Sequence, residues 1–288
     1  YQESELFQIL INHAKENGFS FALWRLPNAP SKNLILSYSP ILIPGNDSIE
    51  ELPEGFLFTP FDKQKMGHFL KADLSFSFTE GSLAEPSTPL QISSRNWLLE
   101  LDPKVKNAKV EFQRKKKSPT VGILEKDQFE QFVQKCIAQI EAGSFEKIVP
   151  SRTKTITLAD SFDLIDAFQK LCVAYPNAMI SLINVPTAGT WIGASPELLV
   201  SVEDKSIFKT VALAGTKMFE EGMNLKQVAW TQKEIEEQAL VSRYIINNFK
   251  KIRLREFEEH GPKTVVAGNL MHLKTDFSVD MKATNFPQ

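Results

Sequence analysis

Lys147 is the first residue whose position suggests chemistry, because it could work as a base. It opens the run EKIVPSR at residues 146–152, where a helix-like segment and a turn lead the chain into a predicted strand. A lysine that is desolvated or lies near another cation has a lowered pKa, and its neutral amine can remove a proton from water. A strand-end lysine whose ammonium reaches solvent is the alternative that the pattern leaves open.

Glu197 could supply the matching acid. It follows Gly193 and Pro196 in GASPELLVSV, and such residues inside a strand mark a kink or bulge that re-aims side chains. A buried carboxylate has a raised pKa and can act as a general acid, whereas a charge on an edge strand is the simpler interpretation. A base and an acid of this kind need separate pockets on opposite faces of a substrate.

Three carboxylates crowd the first turns of a helix predicted over residues 232–251. Thr231 and Glu234 have the spacing of a capping box that opens this helix. Glu234 and Glu237 are three residues apart and therefore lie on one face. Two hard oxygen ligands suit Mg²⁺, which takes one or two protein carboxylates and keeps water or substrate oxygens. The preference of acidic residues for a helix N-terminus explains the same pattern without a metal.

Two further segments could contact a ligand. The segment LAGT, which comprises Leu213, Ala214, Gly215 and Thr216, is predicted to end a strand in a small-residue turn. The glycine lets a ligand approach the backbone, and the threonine hydroxyl can hydrogen-bond to it. His272 lies in the apolar strand MHLKTDF, where a satisfied core histidine is the alternative to a ligand contact.

The elements that must position these residues alternate between helices and strands. Helical periodicity or capping signals mark residues 5–17, the segment from Asp127 to Gly143, and residues 162–175. Strand-like runs include NWLLEL at 96–101 and KIVPSRTKTITL at 147–158, and the stretch 40–62 is predicted to be loop-rich. Antiparallel hairpins with long helices favour an α+β fold over a doubly wound sheet. The absence of a glycine-rich phosphate loop after a strand argues against nucleotide binding.

Composition excludes several classes of protein. The 288 residues are 42% hydrophobic, enough for a sizeable core, and the net charge of −2 does not suggest a nucleic acid partner. The basic run at 114–117 is interpreted as part of a polar surface excursion over residues 102–122. Cys136 and Cys172 lack metal-type spacing and are interpreted as core residues in a reducing compartment. No run is long enough for a membrane span and no signal peptide is visible, so we expect a cytoplasmic protein.

Taken in order and spacing, FEKIVPSR, WIGASPELL, ALAGTK, KEIEEQALV and HLKTDF resemble the motifs of the chorismate-utilising enzymes. The resemblance runs from about residue 125 to the end and is weaker over residues 1–122. It implies one α+β domain over 1–288, with a β-sandwich-like core and helices packed outside. In that domain residues 1–122 form outer strands and helices, and residues 123–288 carry the catalytic motifs.

The resemblance also implies a reaction. Lys147 matches the lysine that activates the incoming water, and Glu197 matches the acid that protonates the leaving C4 hydroxyl of chorismate. Ammonia-using members that resemble this chain mostly carry glutamine in place of Lys147, because their nucleophile already bears a lone pair. The resemblance therefore implies an isomerase, isochorismate synthase, for menaquinone or siderophore biosynthesis, without a glutamine amidotransferase subunit. Salicylate synthase, which shares this lysine, is the alternative.

The substrate and metal contacts are implied in the same way. Mg²⁺ is the expected cofactor and chorismate the expected small-molecule partner. Glu237 matches a magnesium ligand, and Glu234 occupies a position that is acidic in relatives and near the metal. Gly215 and Thr216 match the turn that touches the substrate, and His272 matches a histidine near the substrate carboxylate and the leaving side chain.

The resemblance stops at the end of the given sequence. Relatives continue with a His-Pro segment, an arginine and a glycine-rich turn that hold the substrate carboxylates, and another magnesium-binding glutamate. A chain that ends at Gln288 is expected to have a half-built site and an exposed sheet edge. An inactive chorismate-binding fragment or a non-catalytic paralogue is therefore a further hypothesis.

Overall fold

A computed structural model describes most of the chain as two compact units. The first unit comprises residues 1–109 and 164–288, and the second comprises residues 110–163. The described residues are 2–45, 49, 51–101, 126–159, 161–267 and 270–284. The basic run at 114–117 and the whole excursion over 102–122 lie outside them. The prediction of one domain over 1–288 stays a prediction.

Five helices lie within the described ranges, and four of them belong to the first unit. They are α1 (Glu3–Glu16), α2 (Pro89–Glu100), α3 (Lys126–Glu141), α4 (Leu164–Ala174) and α5 (Gln232–Lys251). The predictions of α1, α3, α4 and α5 are confirmed. None of the described helices combines the length and apolar character needed to cross a bilayer. The cytoplasmic location stays a prediction.

The predicted strand NWLLEL is wrong, because these residues belong to the end of α2. The local signals at the start of this helix outweigh the strand character of its end. Thr88 stands at the N-cap and its hydroxyl accepts a hydrogen bond from the Gln91 N–H at 3.2 Å, with Pro89 at the first helical turn. Ser94 and Leu98, one turn apart, are the buried residues of the helix.

Thirteen strands lie within the described ranges and form antiparallel sheets. They are β1 (Ser20–Arg25), β2 (Lys32–Ser37), β3 (Ile41–Ile43), β4 (Gly55–Phe58), β5 (Gly67–Lys71), β6 (Leu74–Thr79), β7 (Ser82–Leu83), β8 (Met179–Val185), β9 (Gly189–Ser195), β10 (Ser201–Glu203), β11 (Ile207–Met218), β12 (Glu258–Ala267) and β13 (Leu270–Asp280). Together with the helices they confirm the α+β class.

The largest sheet has the strand order β7-β6-β2-β1-β8-β9. One face carries helices: Phe7 of α1 packs edge-on against Phe78 of β6 and Phe168 of α4, with ring centroids 4.7 and 6.3 Å apart. All three rings are fully buried, and each such side chain contributes about 1.5–3 kcal/mol of hydrophobic stabilisation. The apolar faces of the helices and of the sheet therefore pack into one core.

The opposite face of this sheet meets a smaller sheet with the order β3-β5-β4. Ala22, Ile35 and Ile183 of the large sheet form a buried cluster with Leu70 of β5. This packing is the sandwich-like part of the fold. The prediction of a loop-rich stretch over 40–62 is wrong where β3 and β4 form, because both strands pair with β5.

A third sheet, with the order β10-β11-β13-β12, carries α5 on one face. Phe249 and Leu254, at and just beyond the C-terminal end of α5, form a buried cluster with Ala212 of β11 and Phe277 of β13. Because side chains alternate across a strand, the neighbours of these residues project from the other face. This sheet and helix carry three of the segments singled out in the sequence, LAGT, KEIEEQALV and HLKTDF.

The second unit contains α3 and the segment that was predicted to form the strand KIVPSRTKTITL. That prediction is wrong, since residues 147–159 have no regular secondary structure. A strand needs a hydrogen-bonding neighbour, and no described strand pairs with this segment. Pro150 also lacks an N–H group. Within the unit, the Arg152 guanidinium lies 5.8 Å from the ring centre of Phe129 in α3.

Candidate active site

A β-bulge at Gly215 shapes the middle of the third sheet. Strands β11 and β13 pair regularly as far as Ala214 and Leu273, and pairing then resumes with Thr216 opposite His272. Gly215 is the extra residue, and its φ of +67° is the left-handed conformation that suits glycine in such a bulge. The prediction that LAGT ends a strand is therefore wrong, because a bulge lets β11 continue.

The bulge holds the imidazole of His272. Its Nδ1 lies 3.0 Å from the Gly215 carbonyl oxygen and 3.2 Å from the Thr216 Oγ1. A carbonyl oxygen can only accept, so Nδ1 carries the proton and donates it. In the neutral ring, Nε2 then keeps its lone pair for another partner. Thr216 and His272 are thus oriented by each other and by the backbone.

The N-terminal turn of α5 packs against the same bulge. A Cβ atom added at Gly215 would lie 3.1 Å from the Cβ of Glu234 and 3.5 Å from the ring of Trp230. The Glu234 Oε2 accepts hydrogen bonds from the Thr231 N–H at 2.8 Å and from the Thr231 hydroxyl at 2.5 Å. The predicted capping interaction is confirmed, and glycine is needed for the close approach.

Electrostatics at this helix start favour a charged Glu234. The hydrogen bonds from Thr231 hold the pKa of Glu234 below its ordinary value, and the nearby Lys217 charge acts in the same direction. Lys217 itself donates to the Ala229 carbonyl oxygen at 2.6 Å and lies 5.3 Å from the ring centre of Trp230. Sequence reasoning missed Lys217 and Trp230, although Lys217 directly follows LAGT.

Gln238 fixes α5 on the sheet beside these carboxylates. Its side chain is only 2% exposed, and its Nε2 donates to the Ala212 carbonyl oxygen at 3.1 Å and to the Thr275 Oγ1 at 3.0 Å. Because Gln238 directly follows Glu237, this anchor sets the position of that half-buried carboxylate. The motif KEIEEQALV includes Gln238, but the residue type alone does not show whether a glutamine amide is buried or exposed.

That Glu234 and Glu237 bind a magnesium ion as a pair of ligands stays a prediction. They lie one turn apart on α5, and the capping interaction uses Oε2 of Glu234 and leaves Oε1 outside it. Within the described residues no group of three or more histidine, cysteine or acidic side chains could hold a metal. Two carboxylates are nevertheless a sufficient protein contribution for Mg²⁺ when water or substrate oxygens complete the shell.

On the face of this sheet turned away from α5, His272 has charged neighbours. Lys274 Nζ lies 2.6 Å from Oδ1 of Asp276, and Lys263 Nζ lies 2.7 Å from Oδ2 of the same carboxylate. Partial burial raises the pKa of Asp276, but the hydrogen bonds from the two lysines outweigh it and leave the pKa lowered. Sequence reasoning did not single out these residues.

The proposed acid and base belong to neither β11, β13 nor α5. Glu197 is exposed in the connection between β9 and β10, so it is neither the buried carboxylate nor the edge-strand charge that the sequence left open. Among the described residues no hydrogen bond joins Glu197 to Thr216 or His272. Lys147 is half-buried in the second unit. The structure therefore assembles Gly215, Thr216, His272 and Glu234, while the roles of Lys147 and Glu197 stay predictions.

The sequence identifies the family to which this site belongs. A family model described as chorismate binding enzyme matches residues 76–286. That span is more than half of the chain, and the chain therefore belongs to the chorismate-binding enzymes. The segments that carry the bulge, the α5 carboxylates and His272 all lie inside the matched residues.

Solved structures share the fold at low sequence identity. A 2,3-dihydroxybenzoate-specific isochorismate synthase, DhbC from Bacillus anthracis, matches with a TM-score of 0.64 and 16% identity, over 94% of this chain and 70% of that one. The menaquinone-specific isochorismate synthase MenF from Escherichia coli matches with a TM-score of 0.53 and 13% identity, over 92% and 65%. These likenesses confirm the predicted chorismate-utilising fold.

One relative matches by sequence. Anthranilate synthase component 1 from Mycolicibacterium smegmatis is 34% identical over 97 residues, which are 32% of this chain and 18% of that protein. The matched region is thus a small part of that enzyme, which belongs to the same superfamily as the two isochorismate synthases.

Proposed function

We propose that this chain is an isochorismate synthase, which isomerises chorismate to isochorismate. The observation that carries the proposal is a lysine at position 147, in a chain of the chorismate-binding enzyme family, where ammonia-using relatives mostly carry glutamine. The names of the two solved structures with this fold, both isochorismate synthases, support the same reaction.

The proposed chemistry divides proton transfer between two residues. The Lys147 amine takes a proton from water as the water oxygen bonds to C2 of the ring. The double bonds of the ring shift, the bond from C4 to its hydroxyl oxygen breaks, and Glu197 protonates the departing hydroxyl. One water enters and one leaves, so the product is an isomer of the substrate. Positioned acids and bases of this kind contribute about 10²–10⁴-fold each to the rate.

The bulge supplies the contacts that orient the substrate. With its Nδ1 proton donated to the Gly215 carbonyl oxygen, His272 directs Nε2 away from the backbone and towards a ligand. The Thr216 hydroxyl is exposed, and its oxygen accepts part of the same Nδ1 hydrogen bond, which leaves its own proton for a substrate oxygen. Both groups are set by the β11–β13 pairing before any substrate arrives.

Glu234 and Glu237 are the residues that would hold Mg²⁺. When bound, the ion would neutralise the ring carboxylate of chorismate and stabilise charge that develops during the reaction. Because two carboxylates among the described residues would contribute, we expect weak Mg²⁺ binding to the protein alone and tighter binding with chorismate present. Titration calorimetry tests this with Glu237→Gln, and with Glu236→Gln as the matched control, since Glu236 pairs with Gln232 on the helix surface.

Product analysis tests the reaction. The protein is incubated with chorismate and Mg²⁺, and the products are separated by liquid chromatography and identified by proton NMR. Isochorismate as the end product supports the proposal. Salicylate that accumulates without a partner enzyme would replace it with the salicylate synthase alternative, and absence of turnover together with tight chorismate binding would favour a non-catalytic paralogue.

Anthranilate synthesis is the second candidate, because the relative found by sequence is an anthranilate synthase component. This reaction uses ammonia, and Lys147 argues against it. The test adds a nitrogen source to the first experiment. The protein is given chorismate, Mg²⁺ and an ammonium salt. Fluorescent anthranilate would support the second candidate, and its absence alongside isochorismate would exclude it.

A further inference from the structure

Lys217 lies on the face of the third sheet that carries α5. It pairs with Met271 of β13, and Met271 shares a strand face with Thr275, which Gln238 of α5 contacts. The Lys217 side chain therefore projects to the side of the sheet on which the α5 carboxylates lie. It also emerges next to the bulge, because it follows the bulge glycine by two residues.

The described contacts of this ammonium are with neutral groups. Its Nζ donates to the Ala229 carbonyl oxygen at 2.6 Å and lies 5.3 Å from the ring centre of Trp230. None of the described carboxylates forms an ion pair with it. A half-buried ammonium without an adjacent carboxylate is a source of positive potential for the groups around it.

Glu234 is one of these groups. Its Cβ lies 3.1 Å from the position of an added Cβ at Gly215, and a ring carbon of Trp230 lies 3.5 Å from the same point. The side chains of Glu234 and Trp230 thus meet over the bulge, with the Lys217 ammonium near that ring. After the hydrogen bonds from Thr231, the Lys217 charge is a further cause of the lowered pKa of Glu234.

Other contacts hold the start of α5 on the sheet. The Trp230 indole N–H donates to the Thr264 Oγ1 of β12 at 2.9 Å, immediately before the helix begins. The Gln238 amide donates to the Ala212 carbonyl oxygen two turns further along. Because these contacts do not involve Lys217, the main contribution of Lys217 to this place is its charge.

We propose that Lys217 is a built-in competitor of the divalent cation at Glu234 and Glu237, and that its charge keeps the affinity of the free protein for that ion low. The inference rests on the proposed function, because it takes these carboxylates as ligands of Mg²⁺. Two positive charges that act on the same carboxylate repel each other, and the lysine cannot diffuse away because it belongs to β11. Tight binding of the ion then depends on further negative ligands, such as substrate oxygens.

The experiment titrates the whole 288-residue chain with Mg²⁺ by calorimetry, without chorismate. Lys217→Gln removes the charge and keeps an N–H group that can donate to a carbonyl oxygen. It is expected to lower the dissociation constant for Mg²⁺ by about three- to tenfold, because the repulsion is lost. Lys217→Met should change the constant in the same direction, and Lys217→Arg, which keeps the charge, should change it by less than about twofold.

A purely structural role predicts the opposite sign. If Lys217 only holds the α5 carboxylates in place, both neutral variants loosen the site and weaken Mg²⁺ binding. Urea denaturation of each variant, measured alongside, shows how much stability the substitution costs. A charge effect therefore combines tighter Mg²⁺ binding with equal or lower stability, which a structural role cannot produce.

Lys233→Gln is the matched control, because Lys233 directly precedes Glu234 on α5 but is exposed, so that solvent screens its charge. Its expected effect on Mg²⁺ binding is within about twofold. Unchanged or weaker binding in the two neutral Lys217 variants, or an equal gain in Lys233→Gln, would overturn the competitor proposal and leave the proposed function standing. Absence of Mg²⁺ binding to the unaltered chain and to these variants, with and without chorismate, would overturn both.

Discussion

The imidazole of His272 is tied to the backbone of the neighbouring strand, with its Nδ1 3.0 Å from the carbonyl oxygen of Gly215. This carbonyl belongs to the extra residue of the β-bulge, so the bulge turns a backbone acceptor towards a side chain on β13. The position of the histidine is therefore a property of the sheet and does not depend on a bound ligand.

The first prediction concerns the proton on that ring. Because the Gly215 carbonyl only accepts, we expect the neutral imidazole of His272 to carry its proton on Nδ1. Long-range nitrogen–proton correlation NMR distinguishes the two ring nitrogens by chemical shift. A neutral His272 with the proton mainly on Nε2 would contradict the account of how the bulge orients this side chain.

The second prediction is that Gly215→Ala destabilises the protein by more than the strained backbone conformation alone would. The φ of +67° is unfavourable for alanine by about 1–2 kcal/mol, and the new methyl group would crowd the Cβ of Glu234 at 3.1 Å. We expect a total loss of about 2–4 kcal/mol in the free energy of unfolding, measured by urea denaturation.

Gly18→Ala is the control for this substitution. Gly18 has a similar φ of +70°, but no atom lies within 4 Å of the position that its Cβ would occupy. Its loss should be about 1–2 kcal/mol, which represents backbone strain alone. Equal losses at the two sites would mean that α5 does not pack against the bulge as closely as the structure indicates.

The third prediction concerns the buried amide that holds α5. Gln238→Ala removes two hydrogen bonds to the sheet and leaves a cavity, so we expect a loss of about 2–4 kcal/mol in the free energy of unfolding. Gln232→Ala on the exposed surface of the same helix should change stability by less than about 0.5 kcal/mol. Chemical denaturation followed by circular dichroism compares them, and similar values would show that Gln238 is not an anchor.

The fourth prediction is a pH dependence at the start of α5. The pKa of Glu234 is lowered by its hydrogen bonds from Thr231, so folding favours the charged form. Its contribution to stability is complete above the ordinary pKa of an unfolded glutamate, about 4.3, and is lost as the pH falls through the lower folded value. The unaltered protein should thus be more stable than Glu234→Gln near pH 6, and the difference should shrink below about pH 4.5.

This comparison uses the glutamine variant because its side chain can still accept the capping hydrogen bonds but does not titrate in this range. Thermal unfolding at several pH values between 3 and 6 measures the difference directly. A gap between the two proteins that stays constant, or that widens on acidification, would contradict the assignment of the lowered pKa to Glu234.

Sequence patterns predicted the elements whose signals are local. The apolar periodicity and the Thr231–Glu234 capping spacing located α5 at its observed bounds. Gly18, the predicted stop of α1, directly follows the C-cap residue of that helix. Local signals also misled: NWLLEL has strand character, but Thr88 and Pro89 begin a helix several residues earlier. The stronger signal is the N-cap of the helix, which lies outside the strand-like stretch.

The remaining features depend on non-local pairing, which a sequence pattern cannot supply. Residues 147–158 have a strand-like composition, yet no described strand pairs with them. Gly215 was recognised as a site of close approach, but whether it closes a turn or forms a bulge depends on the pairing of β11 with β13. The contact between Asp276 and Lys263 joins two strands and cannot be predicted from their separate sequences.

The most direct test of the central claim is to follow the oxygen of the attacking water. Chorismate and Mg²⁺ are incubated with the protein in water enriched in heavy oxygen, and the product is analysed by mass spectrometry and NMR. The account predicts isochorismate with one heavy oxygen at C2, and a rate lower by about 10²–10⁴-fold in Lys147→Gln. Isochorismate without the heavy oxygen, or an unchanged rate in Lys147→Gln, would contradict water attack assisted by Lys147.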